Sequence, residues 1–133
     1  MRLEVVLTGK ASQRKGRAAE IELARILQGY GYDVQPGRAA SYGATPDISG
    51  LPGVHVEVKR CEQLRPYDWL EQAQRDAARF GDGLPAVFFR RNRFPWLVVM
   101  RLEDWVCLLP PPLHADMGKD VQHHTASYEH NKA

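Results

Sequence analysis

Cysteine is scarce in this chain: Cys61 and Cys107 are the two in 133 residues. They match no zinc-ligand spacing such as C-x2-C, and two are too few for a disulfide framework. A reduced, intracellular protein that rests on its own core is therefore expected. Long apolar runs are absent too. None approaches the roughly 20 residues that a membrane span needs, and no basic stretch followed by an apolar one opens the chain. The expectation is a cytoplasmic protein with no membrane partner. Internal repeats are also lacking. Charge of one sign is in short supply, because 18 Lys and Arg stand against 16 Asp and Glu for a net charge of +2. Any grip on a polyanion must come from local clusters, not from a general positive field.

What the chain does contain is an ordinary globular composition, 44% hydrophobic and 26% charged, in a length that fits one domain with a real core. Its basic residues gather at Arg14, Lys15 and Arg17, and again at Arg90, Arg91 and Arg93. Clustered arginine suits phosphate contacts; the same clusters also read as a solvated face.

Residues 1–11 read as an extended segment, in which Val5 to Leu7 is a strand or a dimer arm. Ser12 is placed to cap a helix that runs to about Gln28 and stops at Gly29-Tyr30-Gly31. A strand at 32–35 follows, then a loop of small residues from Gly37 to Ala44 that carries Arg38, Ser41 and Tyr42. Thr45 to Ser49 reads as a strand end opened by Pro46. Gly50 to Gly53 is a turn, and Val54 to Arg60 alternates as a strand. A helix starts at Pro66 and ends near Phe80-Gly81. Ala86 to Arg90 and Trp96 to Arg101 are strands around an Arg-Asn-Arg-Phe-Pro turn, and Glu103 to Leu108 is a short helix. Residues 12–109 are thus one α/β domain, a mixed sheet with helices against it. Residues 110–133 open on three prolines, turn polar and His-rich, and read as a flexible tail. His123, His124 and His130 belong to that tail, and Trp69, Trp96 and Trp105 are read as packing residues.

On a helical wheel, Ala19, Leu23, Ile26, Leu27 and Tyr30 make one apolar arc, and Glu20 falls inside it. Glu22 points nearly the opposite way. A buried carboxylate is costly unless it is paired or binds a metal; at the end of the stripe it can instead reach water or an arginine. In the strand Val54 to Lys59 the valines face one side, while His55, Glu57 and Lys59 face the other. If the preceding strand pairs with it as a hairpin, Asp47 comes close to Glu57. Carboxylates forced together repel unless a hard divalent cation neutralises them. A lysine beside them can hold a water or stabilise phosphate charge. Taken alone, Glu57-Val58-Lys59 also fits a surface ion pair.

The combination Pro46-Asp47, nine residues, then Glu57-Val58-Lys59 resembles the PD-(D/E)XK nuclease superfamily. Lys15-Gly16, followed by Glu20, resembles the opening of the first helix in archaeal-type Holliday junction resolvases and related phage nucleases. Arg38 to Gly43 is similar to their small, basic loop. Trp69 to Gln74 and Val87 to Arg93 are similar to small phage-encoded members. The resemblance implies a restriction-endonuclease-like core, with one mixed central sheet and flanking helices. It implies a Mg²⁺- or Mn²⁺-dependent endonuclease that hydrolyses DNA, leaves a 5′-phosphate and acts on branched DNA as a homodimer. A nuclease for flaps, single strands or duplex, and a non-catalytic DNA-binding module, are the alternatives on the same fold. Carried over by position, Asp47 and Glu57 are the main metal ligands and the Val58 carbonyl joins them. Glu20 acts through a water or a second metal, and Lys59 orients the attacking water. Ser41 matches a loop serine of the resolvases. Gln72 or Gln74 matches a glutamine near the metal; the wheel favours Gln74, and the resemblance leaves both open. Arg14, Lys15, Arg17, Arg38, Arg90, Arg91 and Arg93 are the candidate DNA contacts.

Overall fold

The computed structural model describes residues 2–38 and 43–113, with backbone alone for residues 2–14. Helix α1 runs without a break from Arg2 to Gly29. The helix thus starts well before Ser12, and Val5 to Leu7 is helical rather than extended. Proline is absent from this stretch and Leu, Glu, Lys, Ala, Gln and Arg fill it, so propensity favours helix. α1 ends in a Schellman turn: Gly31 N–H donates to Gln28 O at 2.9 Å and Tyr32 N–H to Leu27 O at 3.1 Å. The turn needs a left-handed residue, and Gly31 supplies it at φ +99°.

Strands β1 (Gln35–Pro36), β2 (Ile48–Ser49), β3 (Val54–Arg60), β4 (Leu84–Arg90) and β5 (Leu97–Val99) form one five-stranded sheet in sequence order. β3 and β4 are parallel and the other pairings antiparallel, so the sheet is mixed. A parallel pair needs a crossover, and helix α2 (Pro66–Phe80) provides it. Proline opens α2, where a missing N–H costs nothing. Gly81 closes it in the left-handed region, donating to Ala77 O at 2.8 Å.

The sheet is covered on both faces. Leu23 and Ala24 of α1 pack with Val34, Ile48, Val56, Ala86 and Phe88. Trp69, Leu70 and Ala73 of α2 pack on Val87 and Phe89. Burying side chains such as Val56 and Val87 contributes about 1.5–3 kcal/mol each. The alternation in β3 is read from sequence as a core face and a polar face. In the fold, His55 (1% exposed) and Glu57 (5%) are almost as buried as Val56 (0%). The reason is the parallel neighbour: its crossover helix lies over the face that carries them. Residues 101 onward form a unit of their own. Its short helix α3 (Leu102–Val106) has Asp104 ion-paired to Arg101 at 3.0 Å. No helix among the described residues is long and apolar enough to cross a membrane.

Candidate active site

β3 is the platform. Its register with β4 sets Glu57 beside Val87 and Lys59 beside Phe89, the residues that α2 packs against. The antiparallel register that pairs Ile48 with Val56 sets Asp47, one step earlier, opposite Glu57. Because β2 is so short, the side chain of Asp47 stands in for a strand: its Oδ2 accepts the Val58 N–H at 2.8 Å. The Asp47 carbonyl in turn accepts Gly37 N–H at 2.7 Å. A Cβ on residue 37 would lie 2.6 Å from the Pro46 carbonyl, so only glycine allows the loop this close. Arg17 of α1 donates to the Gly37 carbonyl and lies 3.4 Å from Glu20. α1 and the loop are thereby tied together, and Glu20 sits beside Asp47.

Three elements thus bring carboxylates into one partly dry place, and their proton affinities respond. Burial first, and then the Asp47 charge, push Glu57 up from 4.5 to about 8, against the pull of Lys59. Burial and Asp47 also push Glu20 up to about 7, with Arg17 opposing. Burial raises Asp47 itself, although the Val58 N–H and Lys59 work the other way. Lys59 is held from two sides, with Nζ 3.4 Å from Glu57 Oε1 and donating to Gln72 Oε1 at 2.8 Å. Crowded, desolvated carboxylates fit a hard divalent cation, which would satisfy their oxygens and favour their ionised form.

The structure brings Glu20, Asp47, Glu57, Lys59 and Gln72 together. Of the two candidate glutamines, Gln72 accepts from Lys59. The sequence centres the apolar stripe of α2 on Leu70, Ala73 and Ala77; Trp69 is buried as well and turns the helix so that Gln72 faces the strand. Sequence reading missed Asp76, one turn after Gln72 on that side. It raises Glu57 and Asp47 and lies near His55 and Glu57. It also missed Asp82, which contacts His55 Nδ1 at 2.8 Å. The H-x-E-x-K alternation was the available signal for His55.

The basic candidates divide. Lys15, Arg38 and Arg93 are exposed. Arg91 lies over the Phe94 ring at 4.6 Å. Arg90 is not a free cation: it grips Glu22 with Nε at 2.9 Å and Nη2 at 3.0 Å. Trp96 Nε1 donates to the same carboxylate at 3.0 Å. Glu22, read from sequence as plain surface, is therefore the bolt between α1 and the β4–β5 turn. Ser41 and the Arg14 side chain lie outside the described residues.

A mixed sheet flanked by helices, with Pro46-Asp47 and Glu57-Val58-Lys59 converging on its middle strand, defines a nuclease of the PD-(D/E)XK superfamily with a restriction-endonuclease-like fold. Residues 11–131 match the family described as "Phage putative PDDEXK endonuclease", and the chain belongs to that family. The match runs on through most of the segment read as a tail. No curated protein matches the chain.

Proposed function

We propose that this protein is a Mg²⁺-dependent DNA endonuclease, with Mn²⁺ able to replace Mg²⁺, whose site is Asp47, Glu57, Lys59 and Glu20. The observation that carries this reading is the meeting of Glu20 from α1 with Asp47 and Glu57 from the sheet, beside a fixed lysine. Asp47, Glu57 and the Val58 carbonyl would hold the ion, and Glu20 would join through a water or a second ion. When bound there, such an ion would supply charge neutralisation at the phosphate and a lowered pKa for water. The chain supplies position. Gln72 and Glu57 hold the Lys59 ammonium where it can orient the attacking water and face developing phosphate charge. Burial around Glu57 keeps bulk water from screening these charges.

Within that class the proposed substrate is a four-way DNA junction, and the proposed form a homodimer. Paired nicks need two sites related by a two-fold axis. Support comes from the Lys15-Gly16…Glu20 opening, because this resolvase-like helix is the one that delivers Glu20 to Asp47. Junction, flap, single-strand and duplex DNA should be compared with Mg²⁺ and with EDTA. Paired nicks in the junction support this reading. Preferred cleavage of flaps, single strands or duplex moves it to a nuclease of that specificity.

A further inference from the structure

His55 is a polar ring in a place where a polar ring is costly. It is 1% exposed. Phe80 stacks over it with centroids 6.2 Å apart and planes 16° from parallel. Its Nδ1 is engaged with Asp82 Oδ1 at 2.8 Å. In the neutral ring, a carboxylate there favours the tautomer with the proton on Nδ1, which leaves Nε2 as a lone-pair donor. That Nε2 is fully buried and has no hydrogen-bond partner among the described residues. It points at Glu57, whose Oε2 is 3.9 Å away, too far for a hydrogen bond. Asp76, reaching in from α2, completes a set in which ligand atoms of His55, Glu57 and Asp76 all lie within 4.8 Å of one another.

We propose that His55 Nε2, Glu57 and Asp76 form a second divalent-cation site, suited to a transition-metal ion such as Mn²⁺. Neighbouring ligands of such an ion stand about 3 Å apart, so small side-chain rotations close the set. The imidazole nitrogen favours a transition metal over Mg²⁺ or Ca²⁺, for which oxygen ligands are the rule. The carboxylate–histidine arrangement through Asp82 fixes the ring and strengthens its lone pair. The site shares Glu57 with the nuclease centre proposed above, but Asp47 and Glu20 belong to that centre alone.

The full chain, loaded with Mn²⁺, is read by pulsed electron paramagnetic resonance for nitrogen bound directly to the ion. Wild-type and Asp47→Asn protein should both show the nitrogen coupling, and His55→Gln should lose it. In the Asp47→Asn background, Asp76→Asn should weaken Mn²⁺ binding at least about tenfold. Circular dichroism establishes that each variant is folded. Absence of nitrogen coupling in wild-type and Asp47→Asn, or its persistence in folded His55→Gln, overturns the proposal. If His55→Gln does not fold, the Asp76→Asn pair decides: unchanged affinity overturns the site, and a tenfold loss supports it. Asp47→Asn protein that no longer cleaves DNA, yet keeps the nitrogen signal, separates this site from the nuclease reading. Cleavage that persists in that variant overturns the nuclease assignment and leaves the cation site standing.

Discussion

Replacing Glu57 with Gln should stabilise the metal-free protein at alkaline pH while removing its cleavage activity. Glu57 is 5% exposed, and its pKa moves from 4.5 to about 8, through burial first and Asp47 second. In the unfolded chain this carboxyl ionises near 4.5. Between that pH and about 8 the unfolded state has released a proton that the folded state still binds. Stability from this group therefore falls as pH rises through the window, and levels off above it. At about 1.4 kcal/mol per pKa unit the whole shift amounts to roughly 5 kcal/mol. Asp47 titrates in the same cluster, so a proton on either carboxyl relieves both, and the share of Glu57 alone is about 1–3 kcal/mol. Urea unfolding in EDTA at pH 4, below the window, and at pH 8.5, above it, reads this directly. The variant should match wild-type at the lower pH and exceed it by about 1–3 kcal/mol at the higher one. Saturating Mg²⁺ should reverse the order, because only wild-type gains binding energy on folding. A Glu57→Gln variant less stable than wild-type at pH 8.5 in EDTA would refute the reasoning.

The two glutamates of α1 should separate cleanly. Glu20→Gln should impair cleavage with little change in melting temperature. Glu22→Gln, which breaks the Arg90 and Trp96 contacts, should lower stability by about 1 kcal/mol and leave kcat unchanged. Gln72→Ala frees the Lys59 ammonium and should reduce kcat about tenfold with KM little altered, as seen when groups that orient a catalytic side chain are lost; an unchanged kcat would mean that Lys59 needs no second anchor. In DNA titrations with Ca²⁺ in place of Mg²⁺, Lys15→Ala and Arg38→Ala should each reduce the salt slope of log K by roughly 0.9 on duplex DNA. Arg90→Ala should lower stability and leave that slope as it is, since its guanidinium is held by Glu22.

Much of the site was legible where local rules dominate. The alternation from Val54 to Arg60 and the Pro66 and Gly81 punctuation mark β3 and α2 to the residue. The wheel alone turns Glu20 inward from α1; that Asp47 is the group it meets depends on the fold. What escaped depends on distant parts of the chain. Nothing near Val54 announces that β3 has a parallel neighbour, so the sequence sets His55 on a polar strand face without showing how deeply it is buried. The Glu22–Arg90 pair joins residues 68 positions apart, and each partner alone looks like surface. Asp76 was missed because Trp69 was counted as a packing residue without being used to reorient α2. The start of α1 was misplaced because three apolar residues without a strand partner do not outweigh a proline-free, helix-favouring stretch.

The central claim is that phosphodiester hydrolysis happens at the Asp47–Glu57–Lys59 cluster and needs a divalent metal. Single-turnover cleavage of a labelled four-way junction by wild-type, Asp47→Asn and Lys59→Ala protein, purified side by side, tests it most directly. Mg²⁺ should give cleavage by wild-type alone, EDTA should abolish it, and both variants should remain folded and bind the junction, with Asp47→Asn binding at least as tightly as wild-type. Cleavage by either folded variant at the wild-type rate, or by wild-type in EDTA, would contradict the account.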